Sequence, residues 1–176
     1  MVSAADSPEL TDENENTLQA LASFVAVART SVIRDPHTRK LEDISQPEEP
    51  TRLYLTFRTL LKGMIRIGLT EPEAMAITSK IGLDSLPPTR LAIIKMVLAA
   101  KDITVNDVKS GPWLFSTTAI QRALDELKEY RMLDLLSGKN GVEMHYSPSE
   151  QLVQKAALLP ADTFSDNLLY IWEKRR

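Results

Sequence analysis

Hydrophobic positions return every three or four residues through most of this chain, the spacing that gathers side chains on one face of an α-helix. The longest clean run is Leu53, Phe57, Leu60, Leu61 and Met64, which predicts a helix at the centre of the first half. Leu18, Leu21, Phe24 or Val25, Ala28 and Val32 predict another before it. In the second half, Leu91, Ile94, Val97 and Leu98 mark one helix, and Ile120, Leu124, Leu127 and Tyr130 mark a longer one.

Helix starts are signalled by side chains able to occupy the amides that a first turn leaves unbonded. Thr70, with Glu73 three residues on, forms a capping box for a helix ending near Gly82. Pro87 and Pro88 suit a first turn, where a missing N–H costs nothing. Thr104 and Asp107 open a short helix that Gly111-Pro112 must stop, and Ser116 caps the next. The period shortens to two in Leu133 to Ser137 and Val142 to Tyr146, around Gly138-Lys139-Asn140-Gly141, whose residues tolerate the backbone angles of a tight hairpin. Asp35-Pro36 predicts a turn between Ser31 to Arg34 and Arg39 to Ile44. After Glu150 come two helical pieces separated by Pro160, one with Leu152, Ala156 and Leu159, the other capped by Ser165 and bearing Leu168, Leu169, Ile171 and Trp172. The expected fold class is mainly α with a small β-hairpin.

Arg90 to Ala100, Thr104 to Lys109, Ser116 to Met132 and the hairpin around Lys139 resemble the winged helix-turn-helix superfamily of bacterial and archaeal regulators. The run Ser116-Thr117-Thr118-Ala119-Ile120-Gln121-Arg122 carries the likeness most directly, as the pattern of that group's recognition helix. The resemblance implies a winged helix-turn-helix domain over residues 85–150, its hairpin being the wing, preceded by a helical domain over residues 17–84. It also implies a transcriptional regulator that binds double-stranded DNA through the start of the Ser116 helix. The contact residues would be Ser116, Thr117, Thr118, Gln121 and Arg122, with Lys139 and Asn140 at the wing tip. Residues 85–150 hold eight Lys or Arg against eight Asp or Glu, and Asp125, Glu126 and Glu129 follow the contact residues directly. That balance keeps a protein partner open as the alternative.

The first half, Leu18 through Gly82, is similar to the small helical lid domain of AAA+ ATPases, which often precedes a winged helix. The residues concerned are Ala28-Arg29-Thr30-Ser31, the Asp35-Pro36-His37-Thr38-Arg39 turn, and Pro47 to Leu53 opening a helix. The likeness implies that Arg52 senses a nucleotide phosphate and that the chain is an adaptor or C-terminal part of such an ATPase. It has no Gly-x-x-x-x-Gly-Lys-Ser/Thr loop of its own to cradle phosphates. The same residues also read as an ordinary helical dimerisation or spacer domain. Arg58, Lys62 and Arg66, four residues apart, form a basic line that suits phosphates, an acidic partner or plain solvent.

Composition narrows the functional classes further. The chain has 176 residues, a formal charge of -3 and no cysteine, which removes disulfides and thiolate chemistry and fits a reducing cytoplasm. No apolar run reaches the roughly 20 residues that span a bilayer. Asp6, Glu9, Asp12, Glu13 and Glu15 stand among residues 1–16 with no Lys or Arg, which predicts a flexible acidic tail. The histidines are His37 and His145, in different proposed domains, and no zinc, calcium or dinucleotide motif is present. The expectation is a protein with no catalytic residues, metal or cofactor. Trp113 is read as locking the turn before Ser116, with contact to a sugar or partner chain as the alternative. The terminal helices of residues 151–176 either cover the core or pair across the two-fold axis of a homodimer.

Overall fold

The computed structural model describes residues 9–35, 37–38, 41–136, 143–160 and 163–164, and among them the chain forms seven helices and two antiparallel hairpins. Helix α1 (Asp12–Arg29) begins where Thr11 accepts a hydrogen bond from the Asn14 amide, 3.3 Å away. Asp12, Glu13 and Glu15 occupy its first turn, where carboxylates favour the positive end of the helix dipole. The acidic stretch expected to be a tail through Asn16 is therefore helical from Asp12. Strand β1 (Val32–Arg34) pairs with β2 (Leu41–Ile44), as the Asp35-Pro36 turn implied, so Val32 belongs to a strand instead of ending the helix. Asp35 fixes the turn by accepting from the amides of His37, at 2.9 Å, and Thr38.

Helix α2 (Pro50–Arg66) buries Leu53, Phe57 and Leu61 against α1 and α3 (Glu71–Asp84). The capping box predicted at Thr70 and Glu73 is present. Helix α3 continues through Gly82, where the absent side chain is what brings the helices close. A Cβ there would lie 3.2 Å from Phe57 Cζ and 3.3 Å from Leu21 Cδ1.

Helix α4 (Pro88–Ala100) buries Ala92, Ile93, Ile94, Met96 and Val97, so it is apolar nearly all round, the pattern of a helix with neighbours on several sides. It touches α3, α5 (Val105–Lys109), α6 (Thr117–Glu129) and β4 (His145–Pro148). Strand β3 (Leu133–Leu136) pairs with β4 from Leu133 opposite Pro148 to Leu136 opposite His145. The second strand thus lies later than the Val142 to Tyr146 expected. Its position is held by Ile103, which exchanges two backbone hydrogen bonds with Tyr146 at 3.0 and 2.9 Å, and by the Ser149 amide donating to Met132 O at 3.1 Å. Ser149 then caps α7 (Glu150–Ala157) by accepting from the Leu152 amide at 3.1 Å.

The buried apolar side chains form one cluster from Leu18 to Leu159, drawing on both halves of the chain. Helix α7 packs on α1, and Phe164 meets Phe24 edge to face with ring centres 5.5 Å apart. The expected turn at 138–141 and the helix after Ser165 lie outside the described residues.

Candidate nucleic-acid interface on helix α6

Helix α6 exists because Ser116 accepts from the Ala119 amide at 3.2 Å and because Ile120, Ala123, Leu124 and Leu127 form a complete buried stripe. The helical period then forces Ser116, Thr117, Thr118 and Gln121 outward, and all four are exposed. Arg122 is half-buried, and its carbonyl accepts from Arg34 Nη2 at 3.3 Å. Five of the residues predicted from sequence therefore share the first turns of one helix, whereas Lys139 and Asn140 fall outside the described residues.

Glu126 behaves differently from its acidic neighbours. One of its carboxylate oxygens accepts from Arg34 Nε and Nη2 at 3.2 and 3.0 Å, and the other from Arg90 Nε and Nη2 at 3.1 and 2.7 Å. Arg90 is 4% exposed and also donates through Nη1 to the carbonyls of Ala28, at 2.9 Å, and Thr30, at 2.5 Å. One turn on, the Tyr130 hydroxyl lies 2.9 Å from the carbonyls of both Ser31 and Ser45, and its single proton serves the two. Burial raises the Tyr130 pKa against the opposing charge of Arg90, with Glu126 and Asp43 adding to the rise. The end of α1 and strand β1 thus grip the inner side of α6, and Glu126 contributes little to the outer field. Sequence reading missed Arg90 and Arg34. The available signal was Arg90 itself, one of two charged residues in an otherwise apolar α4.

Between α5, α6 and β4 lies an open groove of about 640 Å³, walled by Asn106, Thr117, Gln121, Asp125, Glu143 and Tyr146 among others. Asn106 Nδ2 donates to Glu143 Oε1 at 3.0 Å. Burial raises the pKa of the Tyr146 hydroxyl, and the Asp125 charge adds to the effect. This groove offers hydrogen-bond acceptors and two carboxylates beside the exposed start of α6. Glu129 is paired with Lys128 at 3.4 Å.

One member of the basic line on α2 is paired. Arg58 Nε donates to Glu15 at 2.8 Å, and Tyr54 donates to the other oxygen of that carboxylate at 2.6 Å. Desolvation pushes the Glu15 pKa up, but these two hydrogen bonds and the charges of Arg58 and Lys62 outweigh it and hold the carboxyl below its ordinary value. Arg58 therefore serves the α1–α2 contact, with 38% of its side chain still exposed. Arg52 is 85% exposed, 3.9 Å from Glu48, which is also bound by Arg29. His145 Nδ1 lies 3.1 Å from both oxygens of Asp102 on the surface, and His37 sits in the exposed β1–β2 turn. Among the described residues, no three His, Cys, Asp or Glu gather as a metal site, and no helix is long and apolar enough to cross a membrane.

Compared with protein-family models, curated proteins and solved structures, the chain matches none.

Proposed function

We propose that this chain is a DNA-binding module of the winged-helix kind, a transcriptional regulator whose α6 enters the major groove of a duplex. The observation that carries the reading is the bare first turn of α6. Ser116, Thr117, Thr118 and Gln121 are solvent-exposed on a helix whose opposite face is buried and whose Glu126 is already neutralised by two arginines. Hydroxyl and amide groups of this kind bond phosphates and base edges. The order α4, Ile103 bridge, α5, α6, β3, β4 also supports it, since a helix followed by a hairpin presents two neighbouring projections to a groove. Retardation of a duplex selected from a random pool is the test. Arg122→Ala should weaken binding by about 1–3 kcal/mol if it meets a base, and Lys139→Ala should mainly flatten the salt dependence. Failure of every duplex to bind at low salt ends the reading.

A second reading, favoured by Asp125 and Glu143 beside the groove, is a protein-interaction module or C-terminal adaptor of an AAA+ type ATPase, without its own hydrolytic site. Two carboxylates repel phosphate and suit a cationic side chain. Under this reading a nucleotide-binding protein is captured, DNA is not, and Asp125→Asn weakens the capture.

A further inference from the structure

Among the described residues, two buried side-chain oxygens have no hydrogen-bond partner, Ser79 Oγ and Thr163 Oγ1, and both residues line one cleft between α3, α4 and the turn after α7. A buried hydroxyl left unbonded gives up its hydration with nothing in return, so such groups are rare in a folded chain. Two of them on the walls of one cleft are a site built for a partner from outside.

The contrast with other hydroxyls is local. Thr78, completely buried on the same helix, donates to Ala74 O at 2.8 Å, the bond to the preceding turn that a helical serine or threonine can always reach. Ser79, 3% exposed, does not make it. Thr104 bonds Asp107, and Ser149 bonds the Arg131 carbonyl, so the other buried serines and threonines described are satisfied within the chain. Thr163 is fixed by bonds that leave its hydroxyl unused. Its amide donates to Pro160 O at 2.9 Å, and the adjoining ring of Phe164 packs on Phe24.

Size and charge limit the occupant. The cleft holds about 170 Å³, roughly ten times the ~10–15 Å³ that one bridging water needs and below the ~300 Å³ where sites for larger organic ligands begin. Its walls carry Lys80 and Lys95 against Asp84, which Lys80 binds at 2.8 Å, an excess of one cation. Lys95 is half-buried and is the second charged residue of the otherwise apolar α4, where Arg90 is the first. Hydroxyl donors beside a positive charge suit negatively charged oxygen atoms. Because the donors come from three separate elements, four tetrahedral oxygens meet them better than the two coplanar oxygens of a carboxylate.

We propose that this cleft binds a small tetrahedral oxyanion of the phosphate kind, whose oxygens accept from Ser79 Oγ and Thr163 Oγ1 and whose charge is balanced by Lys95. The site stands on α3 and α4, away from the start of α6, and does not depend on the DNA reading. In the test, inorganic phosphate is titrated against the full chain with ionic strength held constant by chloride. Phosphorus NMR linewidths read binding, and thermal unfolding reads stability. Binding should saturate, and the unfolding midpoint should rise with phosphate as binding to the folded state requires. Without phosphate, Ser79→Ala and Thr163→Val should unfold at or above the native midpoint, since each removes an unpaired buried hydroxyl, and both should bind phosphate about tenfold or more weakly. Lys95→Gln should weaken binding by a similar factor. A midpoint that rises equally in native protein and in the hydroxyl variants is the general stabilisation that phosphate salts give by exclusion from protein surfaces, and overturns the proposal. Lower stability of both hydroxyl variants without phosphate would mean that the hydroxyls serve the fold, and also overturns it. So does acetate binding as tightly as phosphate, or no phosphate binding by native protein.

Discussion

Helices α2 and α6 carry similar patterns, an apolar stripe backed by polar and charged positions, yet they use their outer faces in opposite ways. On α2, Arg58 is drawn into the molecule by Glu15 and Tyr54 of neighbouring elements, so a line of cations that looked available is partly closed. On α6, Glu126 is drawn inward by Arg34 and Arg90, while the hydroxyls and the amide at the start of the helix stay outside. A helical period tells which face is buried. It does not tell which outward charges another element will capture, because capture depends on partners distant in sequence.

The sharpest way to break this comparison is at Arg90. Arg90→Met should destabilise the protein by about 3–5 kcal/mol, since it leaves Glu126 with one partner and the Ala28 and Thr30 carbonyls without theirs. Urea denaturation measures it, and a change below about 1 kcal/mol would show that the grip on α6 is not structural. A smaller effect separates the two helix starts. Ser116→Ala should cost about 1 kcal/mol by removing the cap on Ala119, whereas α2 has no side-chain cap at Glu49, and Glu49→Ala should change little. Equal losses at the two positions would contradict the difference.

The smallest effect tests the capture of Arg58. Glu15→Gln should cost about 0.5–1 kcal/mol near neutrality, a partly exposed pair being screened by solvent. The Glu15 carboxyl is held below its ordinary value, so its contribution is complete above the ordinary carboxylate range and is lost as pH falls through the lowered folded value. Native protein should lose stability on acidification more steeply than Glu15→Gln, measured as unfolding midpoints at stepped pH. Parallel curves for the two proteins would remove Glu15 from the contact.

Much of the local architecture was legible because it is written in neighbouring residues. The boxes at Thr70 and Thr104, the Ser116 cap, the Asp35 turn and the buried stripe of α6 depend on groups within four positions of each other. The register of β4 was not legible, because Ile103 and Met132, distant in sequence, decide where Tyr146 and Ser149 pair. The start of α1 was misread as a tail because composition counts acidic residues without seeing the cap at Thr11 or the two groups that bind Glu15. The exposed candidates Thr117, Thr118 and Gln121 followed from periodicity alone, and the cluster behind them at Glu126 did not.

From its sequence, this chain determines the helices, their caps and the side chains that face a core, since hydrogen bonds and hydrophobic spacing act over one or two turns. Only the tertiary structure decided that the two halves share one core and that Arg34, Arg90 and Tyr130 join them. Those outcomes rest on contacts between residues as far as about a hundred or more positions apart, as between Tyr130 and Ser31 or Phe24 and Phe164, and no local pattern encodes which distant group will arrive.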